Sequence, residues 1–249
     1  DEVANCGVAA EGDAGQFGGN VPTDDSGTIQ YVVVKHAGRT LGNGDELNGI
    51  TLAGVGSSTN VNHIQVHKNL DDGLEFFGGT VSVRYVVLTD NGDDSLDWSF
   101  GWTGNAQFVY VRQNEEAGDN GIEADNSEFD AGARPLTNPT IANMTIVGDN
   151  TNNGVRLRAG TAGKIHNLVV TGPEGYQNCL RVNGAESEAL ATSGDLTMTH
   201  STVACTEATN FGNDFTRNWF TGQDNNSVST ANALRLSVDG RTPLDGSPL

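Results

Sequence analysis

With 249 residues, 36% of them apolar, 33 glycines and a net charge of −19, the chain can fill a narrow core but not a thick globular one. Such a surface repels nucleic acid and anionic lipid, and no run of apolar residues is long enough for a transmembrane helix. The spacing of Cys6, Cys179 and Cys205 matches no zinc motif, whereas abundant carboxylates favour hard divalent cations such as Ca²⁺.

In chain order, residues 1–28 are dominated by Gly, Ala, Asp and Glu and predict an irregular segment. They lack the basic and apolar blocks of a signal peptide. The expectation is the remnant of a longer chain, because nothing here would cap the coils that follow. An uncapped first coil would also permit end-to-end stacking into a filament.

From residue 29 to 205 a short signature returns. It consists of a polar residue, Asn or Asp, usually Gly, an aliphatic residue, a variable residue and an apolar one. Its second position falls at Asn48, Asp72, Asp94, Asn120, Asn153 and Asn178, giving spacings of 24, 22, 26, 33 and 25 residues. A second strand accompanies each repeat, at Ile29–Val34, Val61–Val66, Val83–Leu88, Ala106–Val111, Ile141–Val147, Ile165–Val170 and Leu196–Val203. These read as alternating inward and outward positions. Units this short bury their apolar side only by stacking on one another. The prediction is an all-β, single-stranded, right-handed parallel β-helix of about seven coils. A propeller blade needs about twice this period, and the leucine-rich pattern is absent.

Two stretches depart from the repeat. Residues 128–139, with Pro135 and Pro139, predict an inserted loop. After Val203 the signature stops, and residues 206–249 predict a cap and tail. Phe211, Phe215 and Trp219 recur every four residues beside Phe220, which predicts a short capping helix. A loose tail with one strand at Ala233–Val238 follows. The three cysteines read either as buried thiols or as a Cys179–Cys205 disulfide, one coil apart, with Cys6 left over.

The variable residue of the signature lies between two inward residues and so points outward. Its column reads Thr51, Glu75, Asp97, Glu123, Arg156, Arg181, stacked about 4.8 Å apart, with Asp71, Asp72, Asp93, Asp94 and Asp119 at the corners alongside. Like charges stacked so closely bind metal, keep protons, or splay into solvent. The first option makes Asp71, Asp72, Glu75, Asp93, Asp94 and Asp97 a Ca²⁺ site. The second makes Glu75, Asp97, Glu123 and Arg156 candidate catalytic groups. Neighbouring and alternate carboxylates, about 4.8 and 9.6 Å apart, approach the retaining and inverting geometries of glycosidases. Trp98 and Trp102 could stack on sugar rings, and Arg156, Arg158 and Arg181 could hold a uronate. The third option is a solvated face, with the tryptophans in the core. His36, His63, His67, His166 and His200 read as surface histidines stacked between coils.

Several stretches carry a family likeness: Glu46–Gly49, Asp71–Val81, Gly92–Asp94 with Asp97-Trp98 and Gly101-Trp102, Gly121–Asn126, and Arg156–Arg158 with Gly160–Gly163. Together they resemble a group of bacterial exported proteins, often predicted lipoproteins, with a pectin-lyase-like β-helix. The resemblance spans roughly residues 6–172. It implies this fold and a secreted or outer-surface location in a bacterium, and it names no reaction. Polygalacturonases share the broader fold, and Asp93-Asp94 and Asn153–Arg156 are similar to their motifs, but the Gly-His-Gly element is missing. The sequence therefore favours an extracellular β-helix with a structural, adhesive or glycan-binding role, steadied by Ca²⁺. Its partners would be polysaccharide or cell-surface components. A polysaccharide lyase or hydrolase acting on an acidic glycan is the alternative, and a filament subunit a third.

Overall fold

The structure is a computed structural model that describes residues 7–9, 15–41, 46–114, 116–148, 152–172, 176–206 and 209–229. Two parallel sheets run the length of the molecule. The first is built from the signature strands β4 (Ile50–Ala53), β6 (Leu74–Phe77), β8 (Leu96–Ser99), β10 (Ile122–Ala124), β12 (Asn153–Leu157) and β14 (Asn178–Val182), stacked in chain order. The second is built from β3 (Thr28–Lys35), β5 (Asn60–His67), β7 (Ser82–Thr89), β9 (Asn105–Arg112), β11 (Thr140–Val147) and β13 (Gly163–Thr171). It continues into β15 (Leu196–Thr199), β16 (Thr202–Ala204) and β17 (Ser227–Val228). Each coil contributes one strand to each sheet, so the chain winds as a right-handed parallel β-helix.

The register shows why the signature specifies this winding. Ile50, Leu74, Leu96, Ile122, Val155 and Leu180 pair in one inward column. Leu52, Phe76, Trp98, Ala124, Leu157 and Val182 pair in the next. Both columns face the core, where each fully buried aliphatic side chain contributes roughly 1.5–3 kcal/mol.

In the long strands the inward residues do not alternate strictly, contrary to the simple period-two reading. In β5 they are Val61, Ile64 and Val66, three and then two apart. The cause is His63, whose φ of 51° bends the strand and adds one outward residue. Tyr31, Tyr85, Phe108, Asn143 and Asn167 do the same on β3, β7, β9, β11 and β13. The predicted strand at Leu196–Val203 is likewise broken at His200, also at positive φ, into β15 and β16.

The C-terminal end is closed by helix α2 (Asp214–Thr221), with Trp219 and Phe220 buried against the last coil. The Asn213 side chain accepts from Thr216 N–H at 2.8 Å and caps the helix. The segment entering α2 also pairs with β14. Leu180 N–H donates to the Asn210 carbonyl, Gly212 N–H to the Leu180 carbonyl, and Val182 N–H to Thr216 Oγ1. These bonds satisfy a strand edge that would otherwise be open.

Helix α1 (Ala185–Ser193), between β14 and β15, is not legible from periodicity. The 1–28 segment is not wholly irregular, since β1 (Val8–Ala9) and β2 (Gln16–Phe17) pair antiparallel. Phe17 packs on Phe77 and Phe100. The sheet also runs past Cys205, because β17 pairs with β16. Cys6 and the strand expected at Ala233–Val238 lie outside the described residues.

Candidate functional site: a buried acidic corner

The second signature residue turns the corner into each short strand and forms a ladder along the axis. Asn178 Nδ2 donates to Asn153 Oδ1 at 2.7 Å, and Asn153 Nδ2 donates to Asn120 Oδ1 at 2.8 Å. An amide suits such a column because it donates on one side and accepts on the other. On the two preceding coils the ladder changes character, since Asp94 and Asp72 occupy the same position. Asp94 accepts from Asn120 N–H, and Asp72 accepts from Asp94 N–H at 2.8 Å. Carboxylates can only accept when ionised, so this stretch gathers charge where the rest of the ladder is neutral.

The variable column adds to it. The register pairs Thr51, Glu75, Asp97, Glu123, Arg156 and Arg181 in order, as the repeat predicts. The oxygens of Asp72, Glu75 and Asp97 lie within 4.8 Å of one another. So do those of Glu46, Asp71 and Asp93, and those of Asp93, Asp94 and Asp119. Asn48 Nδ2 donates to Glu75. All six residues expected to bind metal are therefore brought together at one corner.

Within the corner four acids are buried, while Asp93, Asp97 and Asp119 stay partly exposed. Asp71 and Glu75 are 4% and 5% exposed, and Asp72 and Asp94 are buried as deeply. These side chains leave the apolar core only to be covered by one another and by the corner residues of adjacent coils. Asp71 Oδ2 and Asp97 Oδ1 are buried without a hydrogen-bond partner.

Burial, reinforced by the neighbouring carboxylates, raises the pKa of Asp71 and of Asp93 to about 6. It pushes Asp72, Asp94 and Asp97 well above the ordinary range, with the carboxylates around each adding to the effect. A group of acids in this state either holds protons or holds a cation.

One coil further on, the chain supplies that cation itself. Glu123, Asp125 and Glu128 also bring their oxygens within 4.8 Å of one another. Arg158 sits among them, 2.6 Å from Glu123 Oε2 and 2.9 Å from Asp125 Oδ1, and bonds Glu128 as well. Arg156 reaches Glu123 Oε1 at 3.0 Å. Burial still raises Glu123 to about 7, with the two arginines working against it. Both guanidinium groups are thus engaged by the chain's own carboxylates. Arg181, stacked on Arg156, has a buried Nε without a hydrogen-bond partner.

The tryptophans are core residues and not sugar platforms. Trp98 is 1% exposed and donates to Thr161 Oγ1 at 3.1 Å. Trp102 is fully buried, stacks on Phe76 at 3.8 Å between ring centres, and donates to the Val81 carbonyl. Neither ring offers a free face. Cys179 and Cys205 form a buried disulfide with Cα atoms 6.0 Å apart, tying β14 to the end of β16.

The site therefore belongs to a parallel β-helix that gathers carboxylates at one corner of three consecutive coils. More particularly, the chain belongs to the family described as pectate-lyase like beta helix domain, which matches residues 3–238. No curated protein and no solved structure matches the chain.

Proposed function

We propose that this chain is an extracellular β-helix whose acidic corner holds divalent cations, and that it serves a structural or adhesive role in binding acidic glycan at a surface. The observation that carries this reading is the contrast between the Asp72–Glu75–Asp97 cluster and the Glu123–Asp125–Glu128 cluster. The second holds Arg158 among its three carboxylates, with Arg156 on Glu123. The first has the same compactness and sits among further carboxylates. Ca²⁺ fits because its ligands are carboxylate and amide oxygens in a flexible arrangement of six to eight. Asp72, Glu75 and Asp97, with Asn48 beside them, supply that donor type, and Asp71 and Asp93 supply more at the outer row. A cation there would also let an acidic glycan approach a protein of net charge −19.

The test is thermal melting with and without EDTA, paired with calorimetric titration of Ca²⁺. The expected result is Ca²⁺ binding and a melting temperature at pH 7.5 that falls by several degrees on chelation. An unchanged melting temperature and no heat of binding would sink the proposal.

A second reading is supported by Glu123, whose proton is held to about pH 7 beside Arg156 and Arg158, as a general acid requires. On that reading the chain is a lyase or hydrolase using Glu75, Asp97, Glu123 and Arg156. Release of unsaturated or reducing ends from an acidic glycan, abolished by Glu123→Gln, would favour it. The burial of Glu75 and Glu123 argues against catalysis, since a reacting oxygen must come within about 3 Å of each acid.

A further inference from the structure

The second sheet carries an exposed column that the acidic corner does not use. The positive-φ residues of β3, β5, β7 and β9 are Tyr31, His63, Tyr85 and Phe108, and their rings stack at 4.7, 4.6 and 5.2 Å between centres. On the next two coils the same position holds Asn143 and Asn167, joined by a 2.7 Å side-chain hydrogen bond. Asparagine tolerates this backbone cheaply, whereas a bulky side chain there costs of order 1–2 kcal/mol. Four consecutive coils accept that cost at the surface: Tyr31 is 76% exposed, and Tyr85 and Phe108 are exposed beside it. Ring stacking offsets part of the strain but does not require exposure. Strain retained at an exposed site points to use.

The trough beside this ridge continues over Val33, Gln65, Val87, Tyr110 and Thr145. No residue lining it is charged, in a chain with 32 acidic and 13 basic residues. We infer that this ridge and trough bind a linear, uncharged polysaccharide lying along the helix axis.

Three features select that occupant. The ridge from Tyr31 to Asn143 spans four coil spacings, about 19 Å, and is only a few residues wide. Its area is roughly 200–250 Å², far below the ~800 Å² per partner of a stable protein interface. A second copy of the chain is therefore poorly served, and a thin chain molecule is well served. Rings stacked on one another along the axis present their edges outward. Edges carry the positive end of the ring quadrupole and favour oxygen atoms over hydrocarbon. Finally, the polar groups along the column are hydroxyls, amides and an imidazole, which suit sugar hydroxyls, while the −19 charge repels acidic chains from a surface without a cation.

The test is calorimetric titration of the whole chain with cellohexaose and laminarihexaose, with hexagalacturonate as the charged control, each in Ca²⁺ and in EDTA. The expected result is binding of a neutral hexamer that persists in EDTA and weakens at least tenfold in Tyr31→Ala/Tyr85→Ala. Phe108→Ala should weaken it less. All three positions are at the surface, and melting curves check that the variants remain folded. Failure of both neutral hexamers, or binding unchanged by the double substitution, overturns the inference. So does a wild-type dimer in sedimentation that the double substitution abolishes. Because this face is independent of the acidic corner, hexagalacturonate binding in Ca²⁺ together with no binding of either neutral hexamer would overturn this inference while leaving the cation proposal intact.

Discussion

Two stretches of one corner pose the same electrostatic problem and answer it differently. At coils ending in β10 and β12, three carboxylates enclose Arg158, and Arg156 completes the charge balance on Glu123. At coils ending in β4, β6 and β8, the repeat places Asp72, Glu75, Asp97 and their neighbours at the same compactness. The register places Thr51 rather than an arginine at the far end of that column. A β-helix stacks whatever the repeat carries, so a few substitutions per coil decide whether a carboxylate cluster has arginines of the chain beside it. The scaffold fixes the spacing, and the residues at and just after the variable position fix the chemistry.

The largest effect should come from removing the internal cation. Arg158→Ala leaves Glu123 and Asp125 buried without their main partner, and breaking a buried pair in this way costs about 3–5 kcal/mol. The expected outcome in EDTA is a strong drop in melting temperature at pH 7.5. Ca²⁺ should restore part of it, because the stripped cluster then resembles the other one. Equal loss in Ca²⁺ and EDTA would show that the two clusters are not equivalent, and would break the comparison.

A smaller and more graded effect should appear with pH. Asp71 and Asp93 titrate near 6 in the folded state against 3.8 otherwise, and Glu123 near 7 against 4.5. A raised carboxyl pKa means that the folded state binds more protons than the unfolded one across that interval. Stability from these groups is therefore present below about pH 4 and lost as pH rises through 6 and 7. In EDTA the melting temperature should fall between pH 5 and pH 7.5, opposite to a protein held by ordinary salt bridges. Ca²⁺ should flatten the slope by stabilising the ionised form. A melting temperature that rises over this interval in EDTA would refute the raised pKa values and weaken the cation reading.

Much of this corner is legible in the amino-acid sequence, and the reason is periodicity. A signature recurring at intervals of 22 to 33 residues specifies coils, and coils specify which side chains stack. The column from Thr51 to Arg181 follows from that alone, and so do the inward Phe76 and Trp98. Burial does not follow, because a residue that points away from the core is still covered if its neighbours are large enough. Glu75 and Asp71 are therefore readable as neighbours but not as buried acids. Trp102 lies outside the signature, and only tertiary packing shows it stacked on Phe76. Helix α1 carries no apolar stripe to mark it. The aromatic ridge is the feature that periodicity conceals most. Strict alternation hides the bend at Tyr31, His63, Tyr85 and Phe108, although their equal offset within each long strand is a usable signal.

The finest test of the comparison changes one atom. Asp97 stands in the variable column between Glu75 and Glu123, and its Oδ1 is buried without a hydrogen-bond partner. Asp97→Asn keeps the shape and removes one potential negative charge from the first cluster and from beside the second. In EDTA at pH 7.5 this should raise stability by about 1 kcal/mol, since ionised neighbours no longer repel it and the amide can donate to Glu75 or Glu123. In Ca²⁺ the same substitution should lower stability or leave it unchanged, because a ligand oxygen has lost its charge. The sign of the effect, rather than its size, separates the two states of the corner. If Asp97→Asn shifts the melting temperature in the same direction with and without Ca²⁺, the carboxylate serves packing alone, and Arg158 is then a local repair rather than the counterpart of a bound ion.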